Sequence, residues 1–505
     1  MSLPVYRKFF SDSLIVGLGN ISSQAVSLLL IPLVIKLASP AVFGAYVLIS
    51  SVLVLSSLFF SLGLGFHFRR SLPSSVTPAE RAAVFFPGVL AQTVSVLGGS
   101  LLLYFAFPWF GERLLGGHFE FKLLLIPAFC TASVMCNQAG EYFRYTHRMA
   151  LYSGISIVAS VLNITIYLAC GLGGAGMNLN ILFGAQVASL LITGGLLWWM
   201  ILREIPLTLR WPKWGELRQD FRLGFPLTAA VFADTASAAS DRYLIAGFLT
   251  AAAVGFYAPA ASLGALILFL PRISNMVLVP LLARGRDNAQ ERTNDNLVHY
   301  SVRMFLLIAV PAFAGMVIVA EPALVLLANA EVAAAGRLVV PVLTAASVVY
   351  GLTWILQSVL FVERRTSVTL VSNLTAGLVK VGLGLVALIA GAGLVGVAVA
   401  TLLAQVAGLI LVLRDPAIRK HAVLDYVFLA KIAAASAAMA VVIKLAEPGL
   451  STLMGATPML AAVVVAGVLL YGVGLLLLRV FSAAEIGFFR EHLGGVFSRP
   501  GARSN

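Results

Sequence analysis

Charge is the scarcest commodity in this chain. Only 11% of its 505 residues are charged while 60% are apolar, and mean hydropathy is +0.98. A soluble domain of this length carries about 25% charged residues. A water-facing globule is therefore excluded, and the bulk of the chain must face lipid. Cysteine is also rare. Cys130, Cys136 and Cys170 all lie inside apolar segments. Cys130 and Cys136 are six positions apart, on different faces of a helix, with no histidine beside them. This excludes a disulfide framework or zinc site and assigns the cysteines to packing. No nucleophile–base pair is visible. The glycine-rich stretch Gly171–Gly176 lacks the lysine of a phosphate loop and reads as tight turns. No cofactor and no enzymatic activity are expected. The net charge of +13 is spread in short clusters between apolar runs, which is a topology signal and not a nucleic-acid patch.

What the chain does contain is membrane spans. Arg7 and Lys8 precede an apolar run from about Leu14 to Leu37. It is longer than the roughly 7–15 residues of a signal peptide core and reads as the first span. Windows of about 20 apolar residues begin near Ser11, Phe43, Ala83, Phe121, Met149, Leu179, Leu223, Gly255, His299, Arg337, Ser367, Leu394, Asp425 and Pro458. The fold class is an all-α polytopic membrane protein of about 14 transmembrane helices. With the N-terminus inside, 24 of the 34 basic residues fall in inner segments, and Lys36, Arg113, Lys122, Arg337 and Lys444 fall outside. One span more or fewer would invert everything downstream, so both termini are expected in the cytoplasm. No loop is long enough to be a domain.

A short internal echo sets the organisation. LASPAVFGAY at Leu37–Tyr46 and FLTAAAVGFY at Phe248–Tyr257 match at an offset of 211 residues, pairing Ser39 with Thr250, Ala41 with Ala252, Gly44 with Gly255 and Tyr46 with Tyr257. Each copy sits at the outer turn between the first two helices of a half. An even number of spans separates them, so the halves run in the same direction, related by an axis along the membrane normal. The expected organisation is a six-helix lobe over 1–202, a linker over 203–222, a second six-helix lobe over 223–413, and two further helices with a tail over 414–505. A cavity is expected between the lobes.

Ionisable side chains inside spans mark candidate sites. Asp234, Ser237 and Asp241 share one helical face, and Arg242 points about 100° away from Asp241. Asp234 lies near mid-span, where a lone carboxylate takes up a proton or finds a cation; Asp234, Asp241 and Glu141 are the candidates for ion coupling. Arg272 follows Pro271 in a span the proline should break. Lys380 lies 13 residues into its span, about 20 Å deep, and extends the stripe Thr369, Asn373, Ala376. Buried cations facing a water-filled cleft suit an anionic ligand such as phosphate. The candidate substrate-binding set is Arg272, Lys380, Arg242 and Asn373, with Asn20 and Gln24 from the first span's stripe of Ser13, Gly17, Asn20, Gln24 and Ser27. Gln24, Asn20 and Gln138 also fit plain helix packing, and Lys36 is expected to snorkel at the end of its span.

The turns Ser39–Tyr46 and Thr250–Tyr257, with Asp241-Arg242-Tyr243 closing the seventh span, resemble the polysaccharide transporter family of the multidrug/oligosaccharidyl-lipid/polysaccharide exporter superfamily. That resemblance implies a V-shaped, two-lobe flippase that moves polyprenyl-pyrophosphate-linked oligosaccharides outward across the bacterial inner membrane. It also implies that Arg272, Lys380 and Arg242 hold the pyrophosphate or acidic sugars. The expected partners are the lipid-linked substrate, the bilayer and polysaccharide polymerase machinery, with the chain acting as a monomer and coupling to H+ or Na+ left open. Two rivals stand beside this reading: a cation-coupled drug exporter, and a membrane glycosyltransferase using the same lipid carrier.

Overall fold

The computed structural model describes residues 28–66, 71–115, 120–146, 148–172, 177–287, 291–421, 425–453 and 456–480. Among the described residues the secondary structure is helical, with no strand. The first half contains α1 (Leu28–Leu37), α2 (Pro40–Phe60), α3 (Pro78–Leu115), α4 (Leu125–Tyr145), α5 (Met149–Leu172) and α6 (Leu179–Glu204). The second half contains α7 (Trp214–Phe248), α8 (Ala251–Gly264), α9 (Phe269–Asp287), α10 (Glu291–Leu327), α11 (Val339–Val362), α12 (Thr366–Ile389) and α13 (Gly393–Arg414). Two helices follow, α14 (Tyr426–Leu453) and α15 (Ala456–Leu477). The linker is shorter than expected because α7 already begins at Trp214, where the Glu216 carboxylate accepts from the Lys213 backbone N–H at 3.1 Å.

Among the described residues, eleven helical segments are long and apolar enough to cross a membrane. The remaining expected spans are the one containing α1, together with α4 and α7. These last two fall short in hydropathy because they carry polar side chains inward: Asn137, Gln138 and Glu141 on α4, and Thr228, Asp234, Thr235 and Asp241 on α7. A transmembrane helix tolerates such residues where it faces protein or a cavity. Both of these helices contribute polar side chains to a cavity wall.

The echo lies where the halves meet. Ser39 and Thr250 cap α2 and α8, accepting from the N–H groups of Val42 at 3.2 Å and Ala253 at 3.1 Å. α2 and α8 then cross so closely that a Cβ on Gly44 would collide with the Ala251 carbonyl, and one on Gly255 with the Pro40 carbonyl. Pro40 and Ala251 are themselves 211 residues apart, so the two contacts are images of each other across a two-fold axis. The apolar core here draws on both halves, with Val34, Leu48, Val254, Tyr257 and Leu324 all buried. Lys36 reaches across the same end, and its ammonium donates to the Leu326 carbonyl at 2.9 Å. It does not simply snorkel; it caps the C-terminal turn of α10, where the helix dipole favours a cation.

The span carrying Arg272 is broken, as Pro271 led us to expect. α8 ends at Gly264, a 3-10 turn runs Ala265–Leu268, and α9 starts at Phe269. The proline has no N–H to give to the turn before it, and the tighter winding absorbs the loss. α14 and α15 dock on α10 away from this break: Tyr471 donates to the Leu307 carbonyl at 2.8 Å, and Arg303 lies 4.3 Å over the Phe428 ring.

The basic residues Arg81, Arg144 and Arg148 lie at one end of the first half's helices. There Glu204 accepts from Arg81 at 3.1 Å and Arg148 at 2.9 Å, tying α3 and the start of α5 to the end of α6.

Candidate functional site

Helix α7 has polar residues on two faces, and each face lines a different cavity. The larger, about 950 Å3, lies between α7, α9, α11 and α12 in the second half; its wall includes Asp234, Ser237, Asn275, Trp354, Gln357 and Asn373. The smaller, about 330 Å3, lies between α7 and the first half, and is lined by Ser57, Gln92, Asn137, Gln138, Glu141, Thr228 and Thr235. Its floor is a second close backbone contact: Gly63, at φ +74°, meets Gly224 of α7 with no room for a Cβ on either. Among the described residues α7 thus partitions these two chambers, where the sequence led us to expect one cavity between lobes.

The buried charges are placed differently from expectation. Lys380 does not face a cleft. Its ammonium lies 3.3 Å from Asp241 Oδ2 and donates to the carbonyls of Ser237 at 3.0 Å and Ala238 at 3.4 Å. Tyr257 donates to the same Asp241 oxygen at 3.0 Å. Both charged side chains are nearly dry, 7% and 10% exposed. An ammonium with three N–H donors is cheapest to bury where three oxygens meet it. This corrects two expectations together: Lys380 is the partner of Asp241, not a free anion site, and Asp241 carries its own counter-ion. Arg242 turns the other way, and its guanidinium donates to Ser51 Oγ of α2 at 3.1 Å. It bridges the halves rather than lining the larger cavity. Glu141 pairs with Arg144 at 2.8 Å one turn along α4. Gln138 is a packing residue, donating to Gln92 at 3.1 Å and to the Val89 carbonyl at 3.3 Å. Asn20 and Gln24 lie outside the described residues.

Two charges remain. Asp234 lines the larger cavity and, among the described residues, makes no hydrogen bond or ion pair. Arg272 is half-buried one turn before Asn275 on α9 and is likewise without a hydrogen bond or ion pair among the described residues. Tyr350 of α11 lies within electrostatic range of both. Neither cavity has an arginine or lysine among its described lining residues. The walls are largely apolar, and their polar part is amides, hydroxyls and one carboxylate each, Asp234 in the larger cavity and Glu141 in the smaller. The expected lining of cations is therefore not found there, and Arg272 lies one turn along α9 from the lining residue Asn275.

Sequence reasoning missed Tyr350, Trp354, Gln357 and Asn275. Tyr350, Trp354, Gln357 and Phe361 recur at helical spacing on α11, and three of them line the cavity. The spacing was legible, but an aromatic stripe in a membrane helix reads first as lipid-facing or core packing. Asn373 was found, and the structure sets it against Gln357, whose amide N–H donates to Asn373 Oδ1 at 2.9 Å.

A sequence profile of the family described as "Polysaccharide biosynthesis protein" matches residues 33–331. The chain belongs to this family. The matched region runs from α1 through α10 and contains both copies of the echo, both sides of the Gly44–Gly255 crossing and Arg272. No curated protein matches by sequence. Among solved structures, the family member is similar in fold to the lipid II flippase MurJ in an inward closed conformation. Identity there is 14%, coverage is 96% of this chain and 100% of that one, and the TM-score is 0.72. It is also similar to an inward-facing multidrug resistance transporter of the MATE family, in the MOP superfamily. In that case identity is 12%, coverage 82% and 99%, and the TM-score 0.64. A variant of the MATE transporter VcmN from Vibrio cholerae matches at 16% identity over 82% of this chain and 96% of that one, TM-score 0.56. At these identities the likeness establishes the fold: a multi-pass, all-helical membrane protein built as flippases and exporters of that superfamily are.

Proposed function

We propose that this protein is a flippase that carries polyprenyl-pyrophosphate-linked oligosaccharides from the inner to the outer leaflet of a bacterial inner membrane, with its basic end in the cytoplasm. The observation that carries the reading is the larger cavity of a polysaccharide biosynthesis family member: the polar part of its wall is amides and hydroxyls beside the carboxylate of Asp234, and Arg272, unpaired among the described residues, lies one turn from Asn275 on α9. Sugar hydroxyls donate and accept hydrogen bonds, and amides answer both. A guanidinium binds pyrophosphate in its planar fork. Closing the bilayer over such a head group must compensate for its lost hydration, which polar walls do and lipid does not. The prenyl tail stays in lipid throughout. Alternating exposure of the head group requires the halves to rock about the Gly44–Gly255 crossing, with the Gly63–Gly224 contact parting to admit substrate. Of the three carboxylates considered for ion coupling, Asp234 alone combines a cavity position with no partner among the described residues, and it is the one we assign.

A second reading is favoured by Asp234 beside Trp354 and Phe361 in one cavity: an acid among aromatics suits a cationic drug. The two readings separate in one experiment. Cells depleted of the protein should accumulate lipid-linked oligosaccharide on the inner leaflet, protected from a periplasmic glycosidase, with unchanged sensitivity to ethidium. Unchanged glycolipid sidedness with raised ethidium sensitivity would overturn the flippase reading.

A further inference from the structure

The larger cavity holds a set of unanswered hydrogen-bonding groups around one aromatic ring. Asn275 donates to the Trp354 carbonyl at 3.3 Å, but its own amide oxygen is buried and has no partner among the described residues. A buried acceptor left unsatisfied costs roughly 1–3 kcal/mol, and turning the Asn275 amide toward the cavity its residue lines, to meet a donating guest, relieves that cost. Gln357 spends an amide N–H on Asn373, which leaves the Gln357 carbonyl and the Asn373 NH2 without partners among the described residues. The Trp354 indole N–H has no acceptor among them either. Trp354 lies in the wall between these amides and stacks on Tyr350, ring centroids 6.1 Å apart and planes at 29°. The aromatic strip continues to Phe361, three turns of helix and about 16 Å from Tyr350.

We infer that Trp354 is the platform on which a sugar ring of the substrate stacks, with Asn275, Gln357 and Asn373 bonding its hydroxyls; this rests on the flippase reading above. A pyranose has an apolar C–H face and an equatorial rim of hydroxyls, each both donor and acceptor. The wall offers the complement: a flat ring, two N–H donors and two amide acceptors at the same level of the bundle. A hydrophobic cation would leave the indole N–H, the Asn373 NH2 and the acceptors unanswered, which a buried polar site penalises. Arg272, one turn from Asn275 on the same face of α9, places the pyrophosphate at the end of the strip nearest Tyr350. The sugar therefore lies toward Trp354 and Phe361.

The test uses the full chain in lipid nanodiscs and measures binding of farnesyl pyrophosphate, of the same lipid carrying glucose, galactose, mannose or N-acetylglucosamine, and of ethidium. At least one sugar-bearing probe should bind wild type about tenfold more tightly than bare farnesyl pyrophosphate. Trp354→Ala should erase that gain and leave bare-lipid binding unchanged, which also reports an intact fold. Trp354→Phe should keep most of the gain, and Asn373→Ala, on another helix, should remove part of it. The inference is overturned if no sugar improves binding while the bare lipid binds, if the gain survives Trp354→Ala, or if Trp354→Ala lowers only ethidium binding. If wild type binds none of the pyrophosphate probes, the flippase reading fails with it.

Discussion

Tyr46 and Tyr257 stand at the same place in the two halves, 211 residues apart, and both are buried. Their hydroxyls serve different chemistries. Tyr46 donates to the Gln186 amide at 3.1 Å, whereas Tyr257 donates to Asp241, which is paired with Lys380. The described polar interior of the first half at this level is neutral, and that of the second is ionic. Repetition of the backbone, with its caps and crossing glycines, evidently leaves the interior free to diverge. A buried ion pair adds little stability over a well-packed apolar substitute, but losing one partner strands a charge. The second half therefore stakes its fold on a match between α7 and α12, and the first half does not.

The sharpest way to break this comparison is to strand the charge. Lys380→Met should destabilise the protein by about 3–5 kcal/mol, read as thermal unfolding in detergent, and adding Asp241→Leu should restore most of the loss. Removing only the Lys380 ammonium without effect would mean that the pair is idle. Next in size are Gly44→Val and Gly255→Val. Each forces a side chain into the partner helix's backbone and should cost about 1–3 kcal/mol or more. The two-fold predicts equal losses, so a difference beyond measurement error argues against true symmetry at the crossing. Gln186→Leu, the first-half counterpart of disturbing Asp241, should cost only about 1 kcal/mol by the same unfolding measurement. Arg272→Gln should leave the melting temperature in place, since the guanidinium has no hydrogen bond or ion pair among the described residues, yet lower glycolipid flipping in proteoliposomes about tenfold, the usual scale for one charge-assisted bond. Asp234→Asn should likewise change stability by no more than about 0.5 kcal/mol. Its signature lies in transport: flipping should lose its response to an imposed proton or sodium gradient. A variant that still responds would remove Asp234 from coupling.

Particular residues show where sequence reasoning reached and where it stopped. Gly44 and Gly255 were readable as a repeat because identical small residues at a fixed offset survive any tertiary arrangement. Arg272 was readable because Pro271 interrupts an apolar run beside a charge. Lys380 was misplaced because depth was measured along the backbone. Asp241 lies nearer the outer surface than Lys380, but the lysine's four-carbon stem closes the gap once α12 packs on α7. Asn275 and Trp354 escaped notice because neither is charged, and only their meeting across two helices gives them meaning.

By itself the sequence determined that this is a multi-pass helical membrane protein, and that a stretch near its start recurs 211 residues on. Those follow from hydrophobic length and repetition, properties of the chain taken one residue after another. The tertiary structure alone decided which charges neutralise each other and which are left facing a cavity. That choice depends on distances of a few ångströms between helices more than a hundred residues apart, as from Ser237 to Lys380, and no spacing along the chain encodes it.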